Sequence, residues 1–324
     1  MTEDRPRVGI SSCLLGQPVM FNGGHSRDRF LTRDLARYVE WVPVCPEVEI
    51  GLGAPREALR LTAAGHLVSR DGGGARDRVG ARDHTDAVAA LAGRRRGDLA
   101  GLSGYVFKSR SPSCGLFGVR VYAGEGGGEA PVRGDGRGAL AARVLASFPL
   151  LPAEEEGRLN DPLLRESFIE QVFARHRLAG LFGGRWRARD LIEFHARHKL
   201  QLMAHDPGRS KRAGCLVAAA RARPADSVAE RYTALFAQAM AVRAGRGRHG
   251  NALQHAFGLV SSHLDHARRH DILDRIDAYR RGEVPLTVPV TLIRHHATGC
   301  GIGYLRAQTY LDPFPAGLGL RNHA

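Results

Sequence analysis

GYVFKSRSPSCG, residues 104–115, is a short apolar run that breaks into a small, polar, proline-stiffened loop carrying one cysteine. Free cysteine usually behaves as a small core residue. Here it lies two residues after Pro112 and directly before Gly115, in a loop built to present a side chain. Two earlier stretches share the plan. RVGISS (7–12) reads as a buried strand with Cys13 behind it, and WVPVC (41–45) as a strand ending in Cys45. GYVFKS (104–109) is then a third strand and GVRVY (118–122) a fourth. FLTRDLARYV (30–39), HTDAVAALAGRR (84–95, with Thr85 as N-cap) and GALAARVLASF (138–148) carry helical patterns. Strands alternating with helices predict an α/β domain with a mostly parallel, Rossmann-like sheet. Open sheets of this kind bind ligands outside the carboxyl ends of their strands. Cys13, Cys45 and Cys114 are therefore expected to converge in one crevice.

Three thiolates suit soft metals. Structural zinc usually takes four ligands at short spacings. The gaps here are 32 and 69 residues, without a fourth cysteine or an obvious histidine. An iron–sulfur cluster tolerates ligands from separate loops. Three thiolates on a [4Fe–4S] cluster leave one iron open as a Lewis acid. The spacing only suggests this, and core packing and catalysis stay open as readings. Five cysteines in all, an odd number widely spaced, argue against a disulfide framework.

The chain has 324 residues, 43% hydrophobic and 25% charged, enough apolar material for two ordinary cores. No run approaches the roughly 18 apolar residues of a membrane span. The first residues lack an apolar stretch behind a basic start, so a cytoplasmic protein is expected. Net charge is +14, with +5 in residues 1–150 and +9 in 151–324, nearly all from arginine. A solvated basic surface and a phosphate-backbone partner both account for this. The second half reads as an all-α helical bundle with helices near 163–178, 187–205, 227–242, 252–264 and 272–282. PLLPAEEEGRLNDP (149–162) reads as a linker. The expected division is 1–148, a linker and connecting helix over 149–186, and a helical domain over 187–324. Cys215 and Cys300 read as packing residues. His195 and His198 have a spacing that metals use, though histidine pairs are cheap in this chain. The glycines of 124–138 read as turns.

CLLGQPVMFNGG (13–24), PVCPEVEIGLGAPREALRL (43–61) and FKSRSPSCG (107–115) resemble the thiouracil desulfidase family over residues 7 to about 148. NDPLLRESFIEQVFARHRL, LIEFHARHKLQLMAHDP and GYLRAQTYLDPFP are similar to a helical domain often fused behind it. The fusion resembles the bacterial desulfidases of 4-thiouridine in transfer RNA. The resemblance implies a [4Fe–4S] cluster on Cys13, Cys45 and Cys114, with Glu47 and Ser111 in catalysis. One departure stands out: Met20, Phe21 and Asn22 replace an expected arginine-tyrosine-aspartate, which bears on pocket shape and substrate preference.

The chemistry has its own logic. A soft thiocarbonyl sulfur suits an open iron, and its ring carbon then accepts water. Glu47 is placed as base and then acid, Ser111 as a hydrogen-bonding partner of that base or of the water, and Lys108 as a stabiliser of developing negative charge or of the cluster's charge. No net redox change is needed. Thiolated tRNA is the expected partner, with Arg209, Lys211, Arg212, Arg243, Arg246 and Arg248 as candidate backbone contacts in or beside loops. Free thiouracil or thiouridine nucleotides are the alternative substrates. A non-catalytic iron–sulfur RNA-binding regulator is the alternative of another class.

Overall fold

A computed structural model describes residues 5–69, 82–123 and 130–323, so part of the glycine-rich stretch 124–138 lies outside the described residues. The chain forms two compact units that meet between Asp161 and Pro162. Among the described residues no helix is long and apolar enough to cross a membrane.

The first unit is α/β. Its elements are β1 (Arg7–Ser11), β2 (Glu40–Val44), α1 (Pro46–Glu49), β3 (Arg60–Thr62), β4 (Leu67–Ser69) and β5 (Arg82–Asp83). There follow α2 (Thr85–Arg94), α3 (Arg96–Ala100), β6 (Gly104–Phe107), β7 (Val119–Tyr122), β8 (Arg133–Gly136), α4 (Ala139–Ser147) and β9 (Ala153–Glu155). One sheet, ordered β2-β1-β6-β9, is parallel throughout. β1 lies between β2 and β6, and Val8 and Ile10 on one face and Gly9 and Ser11 on the other are all buried, as a strand covered on both faces requires. The second sheet, β5-β4-β3-β7-β8, is mainly antiparallel. GVRVY therefore belongs to a different sheet from the other three strands, a distinction periodicity cannot draw.

Other expectations change in detail. Residues 30–39 form a π turn (Phe30–Asp34) and a 3₁₀ turn (Leu35–Arg37) in place of a regular α-helix. Thr32 Oγ1 donates to the Asp28 carbonyl at 2.7 Å, a local bond that competes with the helical ladder. α2 starts at Thr85, the expected cap, and so one residue earlier than expected. His84 is its N-cap residue, and Thr85 Oγ1 accepts the Leu67 N–H at 2.8 Å. The stretch 149–162 is no free linker, because β9 pairs with β6 inside the main sheet. Its carboxylates look solvated in sequence, yet Glu155 is buried and accepts the N–H groups of Leu116 (2.7 Å) and Phe117 (3.0 Å).

Tyr105 and Phe107 point to one face of β6, fully buried, with rings stacked 3.9 Å apart. The Tyr105 hydroxyl has no hydrogen-bond partner. A buried unpartnered hydroxyl costs about 1–3 kcal/mol. Tyr105→Phe is thus expected to raise stability by about 1 kcal/mol, read as a higher denaturant midpoint at unchanged slope. A lower midpoint would show that the hydroxyl has a partner in solution.

The second unit is helical: α5 (Pro162–Phe182), α6 (Ala188–His205), α7 (Pro207–Ala218), α8 (Ala225–Met240), α9 (Arg246–Val260), α10 (His266–Arg281), α11 (Thr287–Gly299) and α12 (Gly303–Arg306). Among the described residues, one apolar cluster gathers around Leu253, Ile276, Ile293 and Tyr310 and another around Leu191, Leu202, Tyr232 and Phe236. α5 belongs wholly to this unit, although the sequence places it in a connection. α7 escapes the sequence reading because PGRSKRAG is rich in turn formers. Asp206 caps it by accepting the Arg209 N–H at 2.8 Å, with Pro207 in the first turn. Arg209, Lys211 and Arg212 therefore lie on a helix rather than in a loop. Cys215, expected in the core, is exposed on α7, whereas Cys300 is half-buried against the first cluster. His198 is buried, stacks on Phe194 at 3.9 Å and donates from Nδ1 to the Phe194 carbonyl. His195 Nδ1 pairs with the Tyr232 hydroxyl at 3.1 Å. Both rings are engaged in packing.

Candidate active site

Parallel pairing aligns the carboxyl ends of β1, β2 and β6, with Ser11 opposite Val44 and Ile10 opposite Val106. Cys13 follows β1 in a 3₁₀ turn (Ser12–Leu15). Cys45 is the N-cap residue of α1, with Pro46 opening the helix. Its N–H donates to Glu49 Oε1 at 3.2 Å, and Glu49 is held by Arg95 Nε at 2.9 Å. Cys114 follows β6 through the SRSPS loop. Ser111 Oγ accepts its N–H at 3.1 Å and fixes the turn. A Cβ at Gly115 would approach the Ser111 carbonyl oxygen to 2.8 Å, and one at Gly138 the Ser113 carbonyl carbon to 2.6 Å, so both close approaches need glycine. The start of α4 docks there: Ala139 and Leu140 N–H groups donate to Pro112 and Ser113 carbonyls at 3.0 and 2.8 Å. The loop thereby satisfies helix donors that have no partner within the helix. This is the role of Gly138, one of the glycines read as turns.

All three cysteines line one cavity of about 330 Å³, together with Glu47, Lys108 and Ser111. Cys13 and Cys114 are buried, Cys45 is half-buried, and all are free thiols. Burial pushes Cys13 up to about 11 and Cys114 up to about 12, and raises Cys45 as well. Without a bound cation these thiols hold their protons at neutral pH.

Glu47 bridges two partners. One carboxylate oxygen takes the Arg56 guanidinium, and the other accepts the Ser113 hydroxyl. The Ser111 and Ser113 hydroxyls lie 3.0 Å apart, so the chain runs Ser111–Ser113–Glu47–Arg56. Burial lowers the Arg56 pKa, and all three cysteine sulfurs act in the opposite direction, as charges near a guanidinium do. Lys108 is not a free cation. Its Nζ lies 2.5 Å from Glu156 Oε1, and Glu156 also accepts from the Ser109 N–H and hydroxyl at 2.8 and 2.7 Å. Burial works against ionising Glu156, yet these bonds hold its carboxyl below the ordinary range.

Arg56, Ser113 and Glu156 were not legible as site residues. Arg56 and Ser113 sit inside the quoted motifs, but no spacing rule singles them out. Glu156 sits in what reads as a linker. Met20 and Phe21 line the cavity and Phe21 is 47% exposed, so the departure at 20–22 falls on the cavity wall.

Among the described residues no three His, Cys, Asp or Glu side chains are grouped to hold a single metal ion. A cluster differs, because its thiolates bind separate irons and stand further apart than ligands sharing one ion. Three free thiols from three strand ends, two buried and one half-buried, face one cavity and fit that requirement.

Comparison with known proteins finds separate matches in the two halves of the chain. Residues 8–156 match the family described as 2-thiouracil desulfurase, and residues 199–315 match DUF1722, a family of unknown function. The chain is 28% identical over 158 residues to the uncharacterized protein YbgA of Escherichia coli (strain K12), covering 48% of this chain and 94% of that protein. Among solved structures, the [4Fe-4S]-dependent thiouracil desulfidase TudS matches at 24% identity and a TM-score of 0.38, over 51% of this chain and all of that one. The first unit is thus similar to the 2-thiouracil desulfurase family over residues 8–156, and the second to DUF1722 over residues 199–315.

Proposed function

We propose that the chain is a desulfidase that replaces the sulfur of 4-thiouridine in tRNA with oxygen, using a [4Fe–4S] cluster held by Cys13, Cys45 and Cys114. The observation that carries this reading is the convergence of three free cysteines and Glu47 on one cavity. When bound, the cluster supplies an open iron as a Lewis acid for a soft thiocarbonyl sulfur. The other tasks fall to side chains. Arg56 and Ser113 fix the orientation of the Glu47 carboxylate, as a general base toward water requires. The proton Glu47 takes is then available to the departing sulfur. Ser111 positions Cys114 and steadies Ser113. Lys108, neutralised by Glu156, anchors the cysteine loop and adds little net charge. The balance is hydrolytic: thiocarbonyl and water give carbonyl and hydrogen sulfide.

The helical unit supports RNA as the carrier of the base. Lys211 and Arg212 are exposed, and with Arg223 and Arg231 they rim a groove of about 540 Å³ floored by Leu216 and Leu235. Arg243 and Arg246 are also exposed. Arg209 is paired with Asp206, and Arg248 donates to the Arg243 carbonyl at 2.6 Å, so these two are less available to phosphate. The base must leave its stack to enter a cavity in the first unit.

The test is anaerobic. Reconstituted protein with thiolated tRNA should lose the near-ultraviolet absorbance of 4-thiouridine and release sulfide. Lys211→Glu combined with Arg212→Glu should weaken tRNA binding about tenfold at low salt, less at high salt, and leave turnover of free thiouracil unchanged. Turnover of free thiouracil with no gain from tRNA would replace RNA by the free base as substrate.

A further inference from the structure

The second unit contains a cavity of about 280 Å³ that desulfuration does not use. Its floor is ionic. Arg321 is buried, with Nε 3.1 Å from Glu166 Oε1 and Nη2 3.3 Å from both oxygens of Glu170. Gln201 Nε2 donates to Glu170 at 2.7 Å, and His323 Nε2 lies 3.3 Å from Glu166 Oε2. Two carboxylates thus face one guanidinium, and burial raises Glu166 to about 7. His205 is 2% exposed. Its Nδ1 donates to the Val242 carbonyl at 2.7 Å, while Nε2, 3.4 Å from Glu170, has no hydrogen-bond partner. His249 and Tyr279 supply aromatic walls, their ring centroids 6.2 Å apart. Arg243 and Arg246 stand exposed at the rim, where α9 begins.

We propose that this cavity is a guanine-nucleotide pocket, with the base inside against Glu166 and the phosphate outside on Arg243 and Arg246. Each Glu166 oxygen keeps acceptor capacity beyond its present contact. A carboxylate accepts two adjacent N–H donors, which guanine offers at N1 and its exocyclic amine. Uracil offers one N–H between two carbonyls, and adenine and cytosine place an acceptor nitrogen beside the amine. The arginine rim repels a free cation and suits phosphate, helped by the first-turn N–H groups of α9. The aromatic walls offer faces for an unstacked base. The volume is at the lower end for ligand pockets, which suits a single nucleotide.

The inference rests on the RNA reading for its source, an unpaired guanosine of the RNA. Free guanosine monophosphate is the other source of the same chemistry. Calorimetry on the full chain would compare GMP, IMP, UMP and a short uridine-rich RNA with or without one guanosine. GMP is expected to bind at least about tenfold tighter than IMP, which lacks the exocyclic amine. Glu166→Gln should abolish that preference while its thermal unfolding stays cooperative. Arg243→Ala, at an exposed position, should weaken GMP but not the unphosphorylated nucleoside. Tighter binding of the guanosine-containing RNA than of GMP identifies RNA as the source, and equal binding identifies the free nucleotide. Equal affinity for GMP and IMP, or no guanosine preference in any ligand, would overturn the proposal. Sulfide release from free thiouracil, measured on the same variants, separates failure of this pocket from failure of the desulfidase reading.

Discussion

Cys114→Ala is expected to give a folded protein that retains no iron–sulfur absorbance after anaerobic reconstitution and releases no sulfide above background. The fold should survive because the loop does not depend on the thiol. Its turn is closed by Ser111 Oγ on the residue-114 N–H, by the Gly115 N–H on the Ser111 carbonyl at 2.7 Å, and by the start of α4. An alanine keeps all of these bonds. The lost atom is one buried sulfur, worth about 1 kcal/mol of packing. Under the proposed reading the same atom is one of three protein ligands, and its loss leaves two thiols. Cys13→Ala and Cys45→Ala should behave alike. Cys215→Ser, at an exposed position outside the site, should retain full absorbance and turnover. Full activity in Cys114→Ala, or full cluster content without it, would remove the basis of the proposed function.

Glu47→Gln separates cluster from chemistry. Glutamine preserves shape and still meets Arg56 and Ser113, but it cannot take a proton. The cluster spectrum should remain, while turnover falls by about 10²–10⁴, the usual contribution of a positioned general base. Ser113→Ala should cost less, about tenfold, since Arg56 still holds the other carboxylate oxygen. Ser111→Ala acts through the turn at Cys114 and should lower cluster retention along with turnover. If Glu47→Gln kept normal turnover, the water would have to be activated elsewhere, and Glu47 would be only the counter-ion of Arg56.

Two features of the site rest on long-range contacts, and each ties it to sequence that looks inert. Glu155 and Glu156 sit in an acidic run that reads as solvated. In the fold Glu155 accepts the two N–H groups just past Cys114 and Glu156 takes Lys108, so this run clamps the cysteine loop from β9. GDGRG reads as a turn, and Gly138 in it sets the start of α4 against the carbonyls of Pro112 and Ser113.

The sequence by itself determined the parallel strands, because buried apolar runs bounded by loops leave little else to form. It also put the three cysteines at the ends of those strands, and parallel pairing then carries them to one edge. The helical character of the second unit was legible in its periodicity, although α7 was not, since capping by Asp206 and Pro207 outweighs the turn-forming residues behind it. Only the tertiary structure decided which strands share a sheet, because strand periodicity is the same in both. It alone paired Glu47 with Arg56 and Ser113 across 9 and 66 residues of chain, and Lys108 with Glu156 across 48. It alone assembled Glu166, Glu170 and His205 into one cavity and paired both carboxylates with Arg321. Local propensity fixes elements within a few residues, whereas the partners of a buried charge are chosen by whichever distant segment folding brings against it.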